Sequence, residues 1–233
     1  MSRVMVPVVL ALGLSAGCKS DEIAACCVPV PSGLVVVNGF GVPVDVTVDG
    51  HSVASALAPG EVARAAITPG MSHTVSLRVT GVGTTSDVSF MAGATGAPAA
   101  AVAALRLGGG TLSAQSLTDT NAIVPAGATK MRVLHLAANA GEVQVWRTQP
   151  DFMTPIRWAF PFTYNTANVY YQSAVGTWDV RIWTDTSTYA PGNMTPWAAL
   201  ALDQMQVALT SGARGTVAIV DKPGGGVKLV RLE

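Results

Sequence analysis

Three histidines, three cysteines and fourteen carboxylates are the side chains from which a nucleophilic, acid–base or metal centre would have to be assembled in this chain of 233 residues. His51 follows Asp49-Gly50 and precedes Ser52, which sets an imidazole, a carboxylate and a hydroxyl close together in sequence. A triad is assembled by spatial geometry, however, and the G-x-S-x-G elbow is absent, so His51 reads as a solvated residue after an Asp-Gly turn. His135 is different. Strand alternation puts it on the face of Met131 and Val133, and Asn38 occupies the same site in an internal repeat. A buried polar group left unpaired costs roughly 1–3 kcal/mol, so both residues are expected to bond loop backbone as structural polar residues, not to bind metal. Asp49 with Glu61, or Asp179 with Asp185, would suit glycoside hydrolysis only at a specific carboxylate separation. Gly108-Gly109-Gly110 and Gly224-Gly225-Gly226 lack the lysine and hydroxyl of a phosphate loop and read as hairpin turns. Adjacent Cys26 and Cys27 have no second ligand pair for zinc and, as neighbours, form only a strained disulfide. No catalytic residue, metal site or cofactor is read from the sequence.

The third cysteine carries an address. Arg3, the apolar run Val4 to Leu14 and the small residues Ala16-Gly17 before Cys18 make a secretory signal too short to span a bilayer. Leu14-Ser15-Ala16-Gly17-Cys18 resembles the lipobox of bacterial lipoproteins, which implies a signal peptide over 1–17, lipidation of Cys18 and a tether over 18–32. The expected partner is then a membrane, held through a lipid anchor, and the expected place is a bacterial cell envelope, at the outer membrane on its periplasmic side or at the cell surface. Charge narrows the partners further. Lysine plus arginine equals aspartate plus glutamate at 14 each, and charged residues are only 12% of the chain, so nucleic acid is not an expected partner.

The elements that would position these groups are strands. Val44-Asp45-Val46-Thr47-Val48-Asp49-Gly50 and Thr74-Val75-Ser76-Leu77-Arg78-Val79 alternate apolar and polar residues, and no convincing helical period interrupts them. The pattern repeats. Leu34-Val35-Val36-Val37-Asn38 aligns with Met131-Arg132-Val133-Leu134-His135, Val46 and Val48 then fall on Val143 and Val145, and both copies close on a triple glycine. The expectation is an all-β fold of two tandem β-sandwich domains, 33–119 and 130–233, joined by a linker over 120–129.

Arg132 to Ala140, Val44 to Gly50 and Gly176-Thr177-Trp178-Asp179-Val180-Arg181-Ile182 also resemble strands of the bacterial surface family called domain of unknown function 4397. That resemblance implies an immunoglobulin-like or transthyretin-like sandwich on a cell envelope and transfers no catalytic residue. Asn38 replaces the family's histidine in the first copy, and Ala137-Ala138 its usual Ser-Pro in the second.

The aromatics are unevenly spread. All five tryptophans lie in the second copy. Trp178 continues the parity of Val180 and Ile182 and should be core, whereas Trp146 and Trp183 fall on the opposite parity and should face outward. With Phe152 and Trp158 of the inserted segment they form a candidate binding surface, although cover by that segment or by the other domain explains them equally well. The functional reading is a non-catalytic binding or structural module whose partner is an envelope protein or a glycan; carbohydrate binding is the alternative, and a hydrolase a more distant one.

Overall fold

The computed structural model describes residues 33–92, 100–106, 110–117, 124–148, 156–167, 170–183 and 201–232. The expectations for Cys18, Cys26, Cys27 and Phe152 fall outside these residues. The fold is all-β. In the first half the strands are β1 (Leu34–Asn38), β2 (Val44–Val48), β3 (His51–Leu57), β4 (Val62–Ala65), β5 (Ser72–Val79), β6 (Thr85–Met91), β7 (Ala100–Arg106) and β8 (Leu112–Ser116). The second half supplies β9 (Ala128–His135), β10 (Val143–Thr148), β11 (Ile156–Phe162), β12 (Thr166–Ala167), β13 (Tyr171–Ala174), β14 (Gly176–Trp183), β15 (Asp203–Leu209), β16 (Arg214–Asp221) and β17 (Val227–Arg231).

These strands build four sheets, ordered β3-β2-β5-β6, β4-β1-β7-β8, β12-β9-β16-β17 and β11-β10-β14-β15, with β13 pairing β9 beside β12. Among the described residues no sheet mixes strands of the two halves, and the two pairs of orders correspond strand for strand. Each half contains one parallel pair, β1 with β7 and β9 with β16, in matching register: Val36 lies opposite Val102 as Val133 lies opposite Val217.

The four sheets stack with three apolar layers between them. Leu34, Val36, Val46, Leu77 and Val102 meet between the two sheets of the first half. Met131, Val133, Val145, Val180, Val217 and Leu229 do the same in the second. The middle layer joins the halves: Val35, Val37, Ala103 and Leu105 pack with Leu134, Leu136, Ala218 and Val220. Strands β1, β9 and β16 are therefore buried along their whole length. Burial on both faces is the condition under which a strand carries a continuous apolar run instead of an alternating one, and Leu34-Val35-Val36-Val37 is such a run.

The contact between halves joins equivalent surfaces. Leu117 N–H donates to Ala101 O just as Leu232 N–H donates to Thr216 O, and both leucines belong to the middle layer. Gly39 N–H donates to Ala104 O as Leu136 N–H donates to Ile219 O, so Gly39 and Leu136 are counterparts. They also touch, since a Cβ on Gly39 would lie 2.9 Å from the Cβ of Leu136. Contact between a residue and its own counterpart is the mark of a two-fold, isologous arrangement.

Gly39→Val tests this close approach. The added side chain has Leu136 on one side and the Ala104 carbonyl on the other, and overpacking of this kind commonly costs about 1–3 kcal/mol, read as a lower midpoint in a denaturant titration. Gly33→Ala meets only the Ala65 oxygen at 4.0 Å and is expected to stay within about 0.5 kcal/mol of the wild type in the same titration.

Candidate functional site

Asn38 and His135 end the two equivalent strands β1 and β9, and both are fully buried. Asn38 Oδ1 accepts from Phe40 N–H at 2.9 Å while Nδ2 donates to Val42 O at 2.8 Å and Leu57 O at 2.7 Å. His135 Nδ1 accepts from Ala137 N–H at 3.3 Å and Nε2 lies 2.8 Å from Gly141 O. A ring nitrogen that accepts from an amide carries no proton, and one that faces a carbonyl must donate, so the imidazole is neutral with its hydrogen on Nε2. Burial holds its pKa below the ordinary value. The two residues play the same part, since each accepts from the amide two residues on and ties down the carbonyl of the following loop.

A second polar cluster extends from His135. Asp221 accepts from the backbone and side-chain amides of Asn139 at 3.3 and 3.1 Å, and burial raises its pKa. Tyr164 stands edge-on to His135 and accepts from Arg106 N–H of the first half at 2.6 Å; its pKa is also raised by burial. All three shifts favour the neutral form, as expected for groups withdrawn from water.

The sequence placed Asp49 beside His51, but the fold turns it elsewhere. Its Oδ2 lies 2.7 Å from Nδ1 of His73 on β5, and its Oδ1 accepts from Thr74 N–H at 2.8 Å. His73 Nε2 faces the Thr68 carbonyl at 2.9 Å. Both ring nitrogens thus face acceptors, and the bonds to Thr68 and Asp49 raise the pKa of His73. The signal that finds this pair is register, because Val48 opposite Val75 puts the β2 turn beside the start of β5. The other candidate carboxylates are likewise engaged: Glu61 Oε2 accepts from Ala58 N–H and Asp179 forms an ion pair with Arg181 at 3.2 Å. Asp185 lies outside the described residues.

The proposed aromatic surface does not stand open. Trp146 is on the face away from the valine core, as its parity requires, yet it is only 4% exposed and donates Nε1 to Gln144 Oε1 at 3.1 Å. That face is itself buried, with the Arg181–Asp179 pair beside it. Alternation fixes the direction of a side chain and not whether the face is covered. Trp183 is half-buried. Trp158 belongs to the apolar core between the sheets, 7% exposed, and so is not a surface ring. It cages a cation that the sequence did not reveal. The Arg147 guanidinium lies 5.5 Å from the Trp158 ring and 5.1 Å from that of Trp178, with Ser173 Oγ as its hydrogen-bond partner. Among the described residues no three histidine, cysteine or carboxylate side chains gather as a metal site.

The family model "Domain of unknown function (DUF4397)" matches residues 34–146. The DUF4397 match spans β1 to β9 and ends within β10, so it includes both Asn38 and His135. Curated proteins give no match. Among solved structures the chain is similar to a carbohydrate-binding module of family 26 from Eubacterium rectale Amy13K in complex with maltoheptaose, at 14% identity, covering 85% of this chain and 95% of that one, with a TM-score of 0.24. It is also similar to family 41 carbohydrate-binding modules from streptococcal virulence factors, at 9% identity, 85% and 96% coverage and a TM-score of 0.26. Likeness this slight carries no ligand across to the chain.

The two histidines should give opposite pH dependences. His135 resists protonation in the fold, so its contribution is complete above its ordinary pKa of 6.5 and is lost as pH falls below it. His73 is protonated more readily in the fold, so its contribution is complete below 6.5 and is lost as pH rises through the raised value. Thermal melts across this range should show that His135→Asn removes the acid-side loss and His73→Gln the alkaline-side loss. Asn38→Ala strands Phe40 N–H and should cost about 1–3 kcal/mol at every pH.

Proposed function

We propose that this chain is a non-catalytic binding or structural module, built as two tandem sandwich domains over 33–119 and 130–233 and tethered to a bacterial envelope by a lipid on Cys18. The observation that carries the non-catalytic reading is the structural employment of six polar side chains. Asn38, His73, His135, Asp45, Asp49 and Asp221 each hold a loop or turn, and the nitrogens of His73 and His135 face backbone or Asp49. A general base needs a free lone pair aimed at a substrate proton. These groups instead fix loop geometry, which is what a binding surface requires.

The tether reading rests on the apolar run that ends at Gly17-Cys18. Two or three acyl chains, each contributing about 0.8 kcal/mol per buried methylene, hold a protein durably at a membrane. Cys18→Ser is expected to move the protein from the membrane fraction to the soluble one, or to block its processing. Normal processing with unchanged, detergent-dependent membrane association would refute the anchor.

For the module itself, residues 19–233 immobilised on beads should capture a component of an envelope extract or a glycan array. Of the aromatics first read as a surface, Trp183 alone among those described keeps partial exposure, so the glycan alternative now depends on it. If Trp183→Ala keeps glycan capture within about twofold, that alternative fails.

A further inference from the structure

An open cleft of about 610 Å³ lies at one end of the first half, lined by Phe40, Val42, Pro43, Val79, Val82 and Arg106, with Ala56 and Thr80 between them. This size falls within the roughly 300–1,000 Å³ of small-molecule sites. Three of the pieces of chain that wall it are held together by two buried or half-buried polar side chains. Asn38 bonds the amide of Phe40 and the carbonyls of Val42 and Leu57, which fixes the β1–β2 loop against the end of β3. Asp45 Oδ1 accepts from Ala56 N–H and from the Thr80 hydroxyl, both at 2.9 Å, which fixes the end of β3 against the β5–β6 turn.

Two features of the walls run against stability. Ala56 sits in the left-handed region at φ 49°, a conformation unfavourable for a residue with a Cβ. Val42 and Val82 are 43% and 71% exposed although their backbones are tied in place. Strain and exposed apolar surface in one rigid cleft are what a ligand seat requires. Its charge is equally specific. Among the described residues Arg106 is the only charged one of the lining, and its guanidinium forms no ion pair with another of them. Nearby Arg78 differs, being neutralised by Asp45 at 2.9 Å. Phe40 is only 8% exposed, so among the described lining residues no aromatic face is available on which a sugar ring would stack.

From these observations we infer that the cleft binds a small amphiphilic monoanion, with an apolar chain or ring against Val42, Pro43, Val79 and Val82 and a carboxylate on the Arg106 guanidinium. The planar fork of arginine suits a carboxylate bidentately, and one cation suits one negative charge. This inference rests on the reading of the chain as a binding module and names the class of ligand it would take.

The test is a titration of ¹⁵N-labelled residues 19–233, which retain every described strand, with decanoate below its micelle concentration and with decanol as the uncharged control. Saturable shifts are expected at the amides of Gly41, Val42, Val79 to Val82 and Arg106. Decanoate should bind about tenfold more tightly than decanol, and Arg106→Gln should remove that preference while leaving decanol unaffected. Val82→Ser should weaken both ligands. Absence of saturable shifts, shifts centred elsewhere, or a decanoate preference that survives Arg106→Gln overturns the assignment. If Arg106→Gln and Val82→Ser leave decanoate binding unchanged while envelope capture persists, the cleft assignment fails and the module reading stands. If nothing is captured while decanoate binds as described, the converse holds.

Discussion

The middle apolar layer is the constraint on which the rest of the structure depends. Four strands, β1, β7, β9 and β16, have to satisfy a core on each face, because one set of their side chains packs within a half and the other set packs between halves. A polar residue on either face of these strands has to find a partner inside the protein. The small residues Ala101, Ala103 and Ala218 let the facing sheets approach, and Gly39 does the same where a side chain would meet Leu136. Gly60 closes the edge in a similar way: a Cβ there would come within 2.8 Å of Lys228 Nζ and nearer still to Val220. Coupling of the halves is therefore built from shape, with hydrogen bonds such as Arg64 to the Leu232 carbonyl at its margin.

Half-buried strands were the most legible part of the sequence. Val44 to Val48 alternates buried and half-buried residues as its pattern requires, and the buried Trp178, Val180 and Ile182 follow the parity read from their spacing. The sheet orders of the two halves correspond, and strands with equivalent burial retain equivalent patterns. Less legible was anything that depends on a second packing surface. The run Leu34 to Val37 marks a strand, but periodicity does not say which valines serve which layer. Trp146 shows the same ambiguity from the other side: its direction follows from alternation, whereas its burial depends on what lies over the sheet.

Candidate chemistry was legible only where it was local to an element. Asn38 and His135 could be paired because each ends an aligned strand. The Asp49–His73 pair could not be seen without the β2–β5 register, and the Arg147 cage requires three strands, β10, β11 and β14, to be in place. The cleft at the first half was still further from view. Its lining comes from separate stretches of chain, and only Val79 and Gly110 belong to patterns that the sequence shows by itself.

Departures from the internal symmetry have a physical pattern of their own. Where the first half places Val35 opposite Ala101, the second places Arg132 opposite Thr216. The exchange is accommodated by bonding. Arg132 Nε donates to Thr216 Oγ1 at 3.2 Å, the Tyr170 hydroxyl lies 2.7 Å from the same oxygen, and the Tyr170 ring is 4.6 Å from the Arg132 guanidinium and 5.9 Å from that of Arg214. A guanidinium is less strongly hydrated than an ammonium and stacks on an aromatic face, so it tolerates a buried position that would expel a lysine lacking such contacts. The symmetric positions nearer the loop ends, Val37 with Leu134 and Leu105 with Val220, remain apolar. The common framework is thus kept between halves where their surfaces meet most closely, and it diverges where one half has recruited Tyr170 to bury charge.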